Sequence, residues 1–287
     1  MPTMLLAGKK GLVLNVTNKN SIGWAVAELA NEFGAEVGVG AQSERMMDGV
    51  AKLIDGRERF HLHQLDFQIE EDFDRLYKEV EKTYGKIDFL VHSAAFANRE
   101  DLAGRFIDTS RDGFATAMDI SAYSLVRLCG CLEPLMNDDA SVMAMSYLGS
   151  VRAVGNYNVM GVAKAALESI VRYLAVDLGG RGIRVNTLSP GPMNTVAARG
   201  VKGLTEMIAY VHDRAPLKRP FGQAEVAGSA VYLISDLSKG VTGQVIYIDD
   251  GYNIVVYVIA VPSLLIGGVI AWQCGRALWR RLRPARD

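Results

Sequence analysis

The sequence predicts an α/β fold, a single doubly wound parallel sheet with helices on both faces, extended at its end by an apolar helix. Three observations carry this expectation. Short runs rich in Val, Ile and Leu alternate with longer stretches of helical apolar spacing, the rhythm of βαβ units. No internal repeat and no Pro- or Ser-rich linker divides residues 1–253. A 19-residue apolar run then occupies residues 254–272.

Each element has its own signal. Residues 11–16 are a short apolar run and read as the first strand. Residues 21–33 follow with helical spacing, and Gly34 ends them. Residues 36–40 are a second strand, and the alternation over 59–66 a third. Residues 70–84 are charge-rich and helical, with Gly85 as the stop. Residues 87–93 have the composition of a buried strand. One long helical pattern covers 113–136. Residues 141–146 are the next strand and 158–179 a long helix. Residues 184–189 and 245–249 supply two more strands. Crossovers between parallel strands are right-handed, so ligands collect at the carboxyl ends of the strands.

Composition narrows the function classes. A chain of 287 residues buries a full core without disulfide or metal staples. Lys plus Arg total 31 against 32 Asp plus Glu, a balance that offers no electrostatic footprint for nucleic acid. Cys129, Cys131 and Cys274 form neither a disulfide framework nor a paired metal spacing. Residues 1–10 lack the apolar stretch of a secretory signal, so a reducing, cytoplasmic setting is expected. His61 and His63 share one face of the third strand, but no third ligand accompanies them and no metal site is expected.

The mean hydropathy of +0.12 is high for a soluble chain, and the excess sits at one end. Residues 251–275 carry no charge. As a helix, 254–272 would be about 28 Å long, near the ~30 Å core of a bilayer. Tyr257 and Trp272 lie near its ends, as interface anchors do. Five Arg and one Asp stand in the last 34 residues. Membrane contact through 254–272 is therefore expected, with residues 1–253 as the soluble domain; packing of this segment within an oligomer is the other reading. Pro262, Gly267 and Gly268 favour a bent or broken helix.

A dinucleotide site is suggested where the first strand runs into Asn15-Val16-Thr17-Asn18-Lys19-Asn20-Ser21-Ile22-Gly23. A Rossmann-type fold needs a tight turn here, with helix N–H groups facing a pyrophosphate. Asn15 and Ser21 stand where glycines are usual, and Gly23 fits the close-packing role. Gln42 follows the second strand, where the adenine ribose is met. An acceptor at that position is compatible with a free 2′-hydroxyl and favours NADH over NADPH. Asp66 ends the third strand, either against the adenine edge or as a helix cap.

The most specific pattern is Ser146-Tyr147-Leu148-Gly149-Ser150 followed by Tyr157-Asn158-Val159-Met160-Gly161-Val162-Ala163-Lys164. Together with Ser21-Ile22, His92-Ser93, residues 119–124, Arg184-Val185-Asn186 and Gly191-Pro192, it closely resembles the short-chain dehydrogenase/reductase superfamily. Within that superfamily it resembles the NADH-dependent enoyl-[acyl-carrier-protein] reductases. Most superfamily members place a catalytic Tyr four residues before the Lys and a Ser thirteen before that Tyr. Here those positions are Met160 and Tyr147, so the carbonyl-reducing set is missing. Tyr157, about two turns from Lys164, suits a thioester oxygen one conjugated step from the carbon that takes hydride.

The resemblance implies a fatty-acid-elongation enzyme whose substrate is an enoyl thioester on acyl carrier protein, assembled as a homotetramer. It implies that Tyr157 stabilises the enolate, that Lys164 holds the nicotinamide ribose, and that Tyr147 shapes the acyl pocket. It further implies cofactor contacts at Asn15, Ser21, Ile22, Gln42, Asp66, Phe67, Ala94, Met193, Thr195 and Ala197. Ala97 and Met207 are implied substrate contacts, the latter in a lid spanning 195–213. Asn15, Ala95 and Asp250 replace glycines of the pattern and add bulk near the ligand. A reductase for another activated alkene, or a reductase-like scaffold with poor cofactor affinity, are the competing readings.

Overall fold

The computed structural model describes residues 4–195 and 198–255. Seven strands form one fully parallel sheet in the order β3-β2-β1-β4-β5-β6-β7. They are β1 (Lys10–Leu14), β2 (Glu36–Ala41), β3 (Phe60–Gln64), β4 (Ile87–His92), β5 (Met136–Met145), β6 (Arg184–Pro190) and β7 (Val245–Ile248). The order reverses between β1 and β4, which pair from Gly11↔Phe89 to Leu14↔His92. Two loops diverge there and leave a crevice at the carboxyl edge.

Alternate residues along the strands feed two cores. Leu12, Leu14, Leu90 and Val142 face one side, with Leu76 and Val80 of α3 (Glu70–Tyr84), Leu125 and Leu128 of α6 (Ser124–Leu132), and Leu167 and Val171 of α7 (Asn158–Leu178). Val13, Val39, Val91 and Met143 face the other, against Val26 of α1 (Ile22–Glu32), Val50 of α2 (Glu44–Ile54) and Val226 and Val231 of α9 (Gln223–Ile234). Burying each such side chain contributes about 1.5–3 kcal/mol. Both faces are covered over the inner strands, which is why β1, β2 and β4 read as nearly continuous apolar runs.

The remaining helices are α4 (Arg99–Leu102), α5 (Arg111–Met118) and α8 (Leu204–Arg214). The pattern over 113–136 is not one helix. α5 ends at Met118, a π-turn occupies Asp119–Tyr123, α6 follows, and Met136 already opens β5. The strand thus begins five residues before the apolar run suggests, because its first turn of chain carries Asn137, Asp138 and Asp139. Helices α2, α4, α8 and α9 are additions to the expected set. Of the apolar C-terminal helix expected over 254–272, all but Ile254 and Val255 lies outside the described residues, as does Ala197.

Candidate active site

The crevice is a cavity of about 550 Å³ running from the β1–β4 divergence to α8. Its floor is the turn after β1. Asn15 adopts a left-handed backbone, φ 66°. Asparagine tolerates that region better than most residues, which explains how the turn survives without glycine. Its amide Nδ2 donates to the Ser93 carbonyl at 3.3 Å, so the added bulk is tied to the chain just after β4. Ser21 caps α1: its Oγ accepts the Trp24 N–H at 3.2 Å and donates to the Asn18 carbonyl at 2.7 Å. Gly23 packs so closely that a Cβ would stand 2.8 Å from Ser93 Oγ. The first turn of α1 therefore opens on the cavity with helix N–H groups, a fit for a pyrophosphate.

Gln42 borders the cavity after β2, and its Nε2 donates to Asp66 Oδ2 at 3.1 Å. Asp66 stands behind Gln42 rather than on the wall, its Oδ1 accepting the Gln68 N–H at 3.0 Å. Phe67, Met193 and Thr195 line the space, and Thr195 Oγ1 accepts the Ala198 N–H at 3.2 Å. Ala95 and Ala97 line it as well, whereas Ala94 is fully buried and contributes its carbonyl.

That carbonyl reaches Lys164. The buried ammonium donates to Met145 O at 2.7 Å and to Ala94 O at 3.4 Å. Two of its three N–H bonds are thus used, and the side chain borders the cavity. A desolvated donor facing an open crevice is what a ribose hydroxyl requires. Burial lowers the lysine pKa to about 8, with Glu168 opposing that fall.

Tyr157 sits one residue before α7, as its cap, and lines the cavity. Its ring meets that of Tyr147 edge-on, centroids 4.9 Å apart. Burial, and secondarily Tyr147, raises the Tyr157 pKa, so the phenol remains a hydrogen-bond donor. Tyr147 is pushed up to about 12 by burial. Its hydroxyl donates to Met207 Sδ at 3.2 Å, joining the site to α8. Met160 occupies the position one turn before Lys164, and its thioether sulfur lies 3.7 Å from Ser121 Oγ. No acid stands there.

Ser121 was not singled out by its residue type, yet it organises one wall. It belongs to the π-turn, accepts the Phe96 N–H at 2.9 Å and donates to Phe96 O at 3.0 Å. Ser146 and Glu168 form a second unforeseen pair, Oγ to Oε1 at 2.5 Å. Ser146 opens the quoted motif beside Tyr147, and Glu168 follows Lys164 by one helical turn, but neither position signals the pairing. Asp250, a further non-glycine with positive φ (54°), accepts both Arg219 Nε and Nη2 at 3.2 Å. His61 and His63 are paired with Glu36 and Glu79, each at 2.8 Å. Among the described residues no cluster of three or more metal-type ligands occurs.

A parallel sheet with a dinucleotide crevice at its switch point, and a Tyr and a buried Lys at the head of one long helix, defines a short-chain dinucleotide-dependent reductase. The family model described as enoyl-(acyl carrier protein) reductase matches residues 16–253. The chain belongs to that family. It is 43% identical over 255 residues to the NADH-named enoyl-[acyl-carrier-protein] reductase of Rickettsia typhi, covering 89% of this chain and 98% of that one. It is 44% identical over 250 residues to the NADPH-named enzyme of Staphylococcus aureus, covering 86% and 98%. The crystal structure of the Bacillus cereus enoyl-acyl carrier protein reductase, with NADP+ and an indole naphthyridinone, superposes with a TM-score of 0.86. That pair is 41% identical, over 88% of this chain and 99% of that one.

Proposed function

We propose that this protein reduces trans-2-enoyl thioesters carried on acyl carrier protein to the saturated thioesters, a step of fatty acid elongation, with NADH as donor. The observation that carries the reading is the displaced phenol. Tyr157 and Tyr147 share the cavity with Lys164, while a thioether fills the position of a ketone reductase's acid.

Bound NADH supplies the hydride, which enters at the β-carbon. Ser21, Ile22 and Thr195 would hold the pyrophosphate, Gln42 the adenine ribose, and Lys164 the nicotinamide ribose. As the β-carbon is reduced, negative charge grows on the thioester oxygen, and a proton drawn from solvent and added at the α-carbon then completes the saturated thioester. The Tyr157 hydroxyl donates to that oxygen, a contribution typically worth about 3–4 kcal/mol in the barrier. Tyr147 and Met207 close the acyl side and exclude water. Ala97 lines the same cavity and would contact the substrate. The test is NADH oxidation with crotonyl and longer enoyl thioesters; no turnover with either, or a full rate in Lys164→Ala, overturns the reading.

The preference for NADH rests on Gln42 and Asp66. With Nε2 engaged by Asp66, the Gln42 carbonyl is left to accept a ribose hydroxyl. A 2′-phosphate there would meet the Asp66 carboxylate one hydrogen bond away. Arg45, exposed in the first turn of α2, is the countervailing charge. A kcat/KM for NADH at least about tenfold above that for NADPH is expected.

We also infer a homotetramer and a cytoplasmic enzyme held at a membrane by residues 254–272. Exposed apolar side chains on α5 to α7 support the first: Tyr173 is 74% and Val176 79% exposed. For the second, a compact unit ends at Asn253, the last residue matched by the family model. Among the described residues no helix is long and apolar enough to cross a membrane. Sedimentation of the purified protein and carbonate-washed membrane fractions read these two points separately.

A further inference from the structure

The cavity lysine shares its helix face with a buried carboxylate. Glu168 follows Lys164 by four residues, so the two side chains leave α7 one above the other. Glu168 is only 6% exposed, and the hydrogen bond it receives comes from a neutral hydroxyl, Ser146 Oγ at 2.5 Å. An ionised carboxylate so desolvated demands a counter-charge. Lys164, on the same helix face, is a cation on which Glu168 acts, and the two are also linked through the end of β5. Met145 O accepts the Lys164 ammonium at 2.7 Å, and the very next residue, Ser146, donates to Glu168. Two consecutive residues are thus gripped by opposite charges from one helix, and the residue after them is Tyr147.

We propose that Glu168 is a positioning residue for the reductase reaction: through Ser146 and through its own charge it keeps Lys164 an ammonium and fixes the strand end that presents Tyr147. The inference rests on Lys164 acting as proposed above. Burial drives Lys164 toward the neutral amine and Glu168 opposes it. The other groups facing this pair do not replace that charge. His92, from β4, is pushed down to about 3 by burial and by Lys164 itself, and is neutral. Tyr147 and Tyr157 are held protonated by burial. Tyr247, from β7, is raised by burial, then by Glu168 and Asp249, with Arg152 opposing.

The test uses the full-length enzyme and two readouts. The first is trace acetylation of Lys164 in the cofactor-free protein, followed against pH by peptide mass spectrometry. The second is the alkaline limb of kcat/KM. In Glu168→Gln both midpoints should fall by about one pH unit, giving a loss of about fivefold at pH 8 and under about twofold at pH 6. Glu168→Asp, which keeps the charge, should hold both midpoints near the wild-type position. An unmoved midpoint in Glu168→Gln, or an equal fall in Glu168→Asp, overturns the proposal. Should Glu168→Gln not fold, the paired Ser146→Ala/Glu168→Leu variant, apolar at both partners, carries the same readouts. Full activity of Lys164→Ala would instead overturn the role of the lysine itself.

Discussion

At the residue scale the site divides by charge. Tyr157 is a donor that stays protonated, and Lys164 a cation close to losing its proton. Tyr157→Phe removes one hydrogen bond to the developing anion. The expected result is a kcat lower by about 10²–10³-fold with NADH affinity unchanged, measured by stopped-flow and calorimetry. Lys164 has a pH consequence with opposite signs for rate and stability. Its folded pKa is about 8 against an ordinary 10.5. Rate should fall as pH rises through about 8. Below that value the charged form is penalised by burial in the folded state alone. The penalty is relieved between about 8 and 10.5, where the unfolded chain binds more protons, so this group's contribution to stability rises with pH. A urea-midpoint series over that range, compared with Lys164→Met, should show the wild type gaining. The spacing of Tyr157 and Lys164 was readable in the sequence because a helix imposes a fixed period. The bond from Ser146 to Glu168 was not, since their partnership depends on where β5 ends.

At the element scale the π-turn decides how α5 and α6 meet the crevice. An extra residue in that turn directs Ser121 onto the Phe96 backbone. Ser121→Ala leaves that peptide unpaired on the protein side. A loss of about 1–3 kcal/mol in denaturant stability is expected, with a raised KM for the thioester. Apolar periodicity cannot register such an insertion, and for that reason 113–136 reads as a single helix. α9 carries no clear sequence signal for a different reason. Its cap is Gly222, and Gly228 interrupts a run too uniformly apolar to show a face. α2 did carry a usable signal in Ser43, whose Oγ accepts the Met46 N–H. The helix α8 buries no side chain, and Gly203 at its start has φ 82°. Its hold on the site is the Tyr147–Met207 contact. Met207→Ala should therefore raise KM for long-chain enoyl thioesters more than for crotonyl, while a bound substrate analogue slows proteolysis across 198–214.

At the scale of the whole molecule, the sheet was legible because its inner strands β1, β2 and β4 are covered on both faces and largely apolar, while the edge strand β3, half-buried, shows alternation instead. Where polar residues begin a strand, as Asn137 to Asp139 do in β5, the apolar run starts after the strand does. A chain stopped after Asn253 should keep the fold and its reductase rate. Its melting temperature should stay within about 3 °C of the full chain, while membrane fractionation is lost, as followed by scanning fluorimetry and pelleting. The strand ends also bear on how the ligand is received. Asn15 already joins the tip of β1 to Ser93 beyond β4. The two lips of the crevice are stitched in the free protein, and an arriving dinucleotide has little backbone left to order. The entropy of binding is then spared that cost. Amide hydrogen exchange at Val16 and Ser93, whose N–H groups donate to the Gly40 and Leu14 carbonyls, should be slow before any ligand is added, and Asn15→Gly should quicken it while making the enthalpy of association more favourable and its entropy less so.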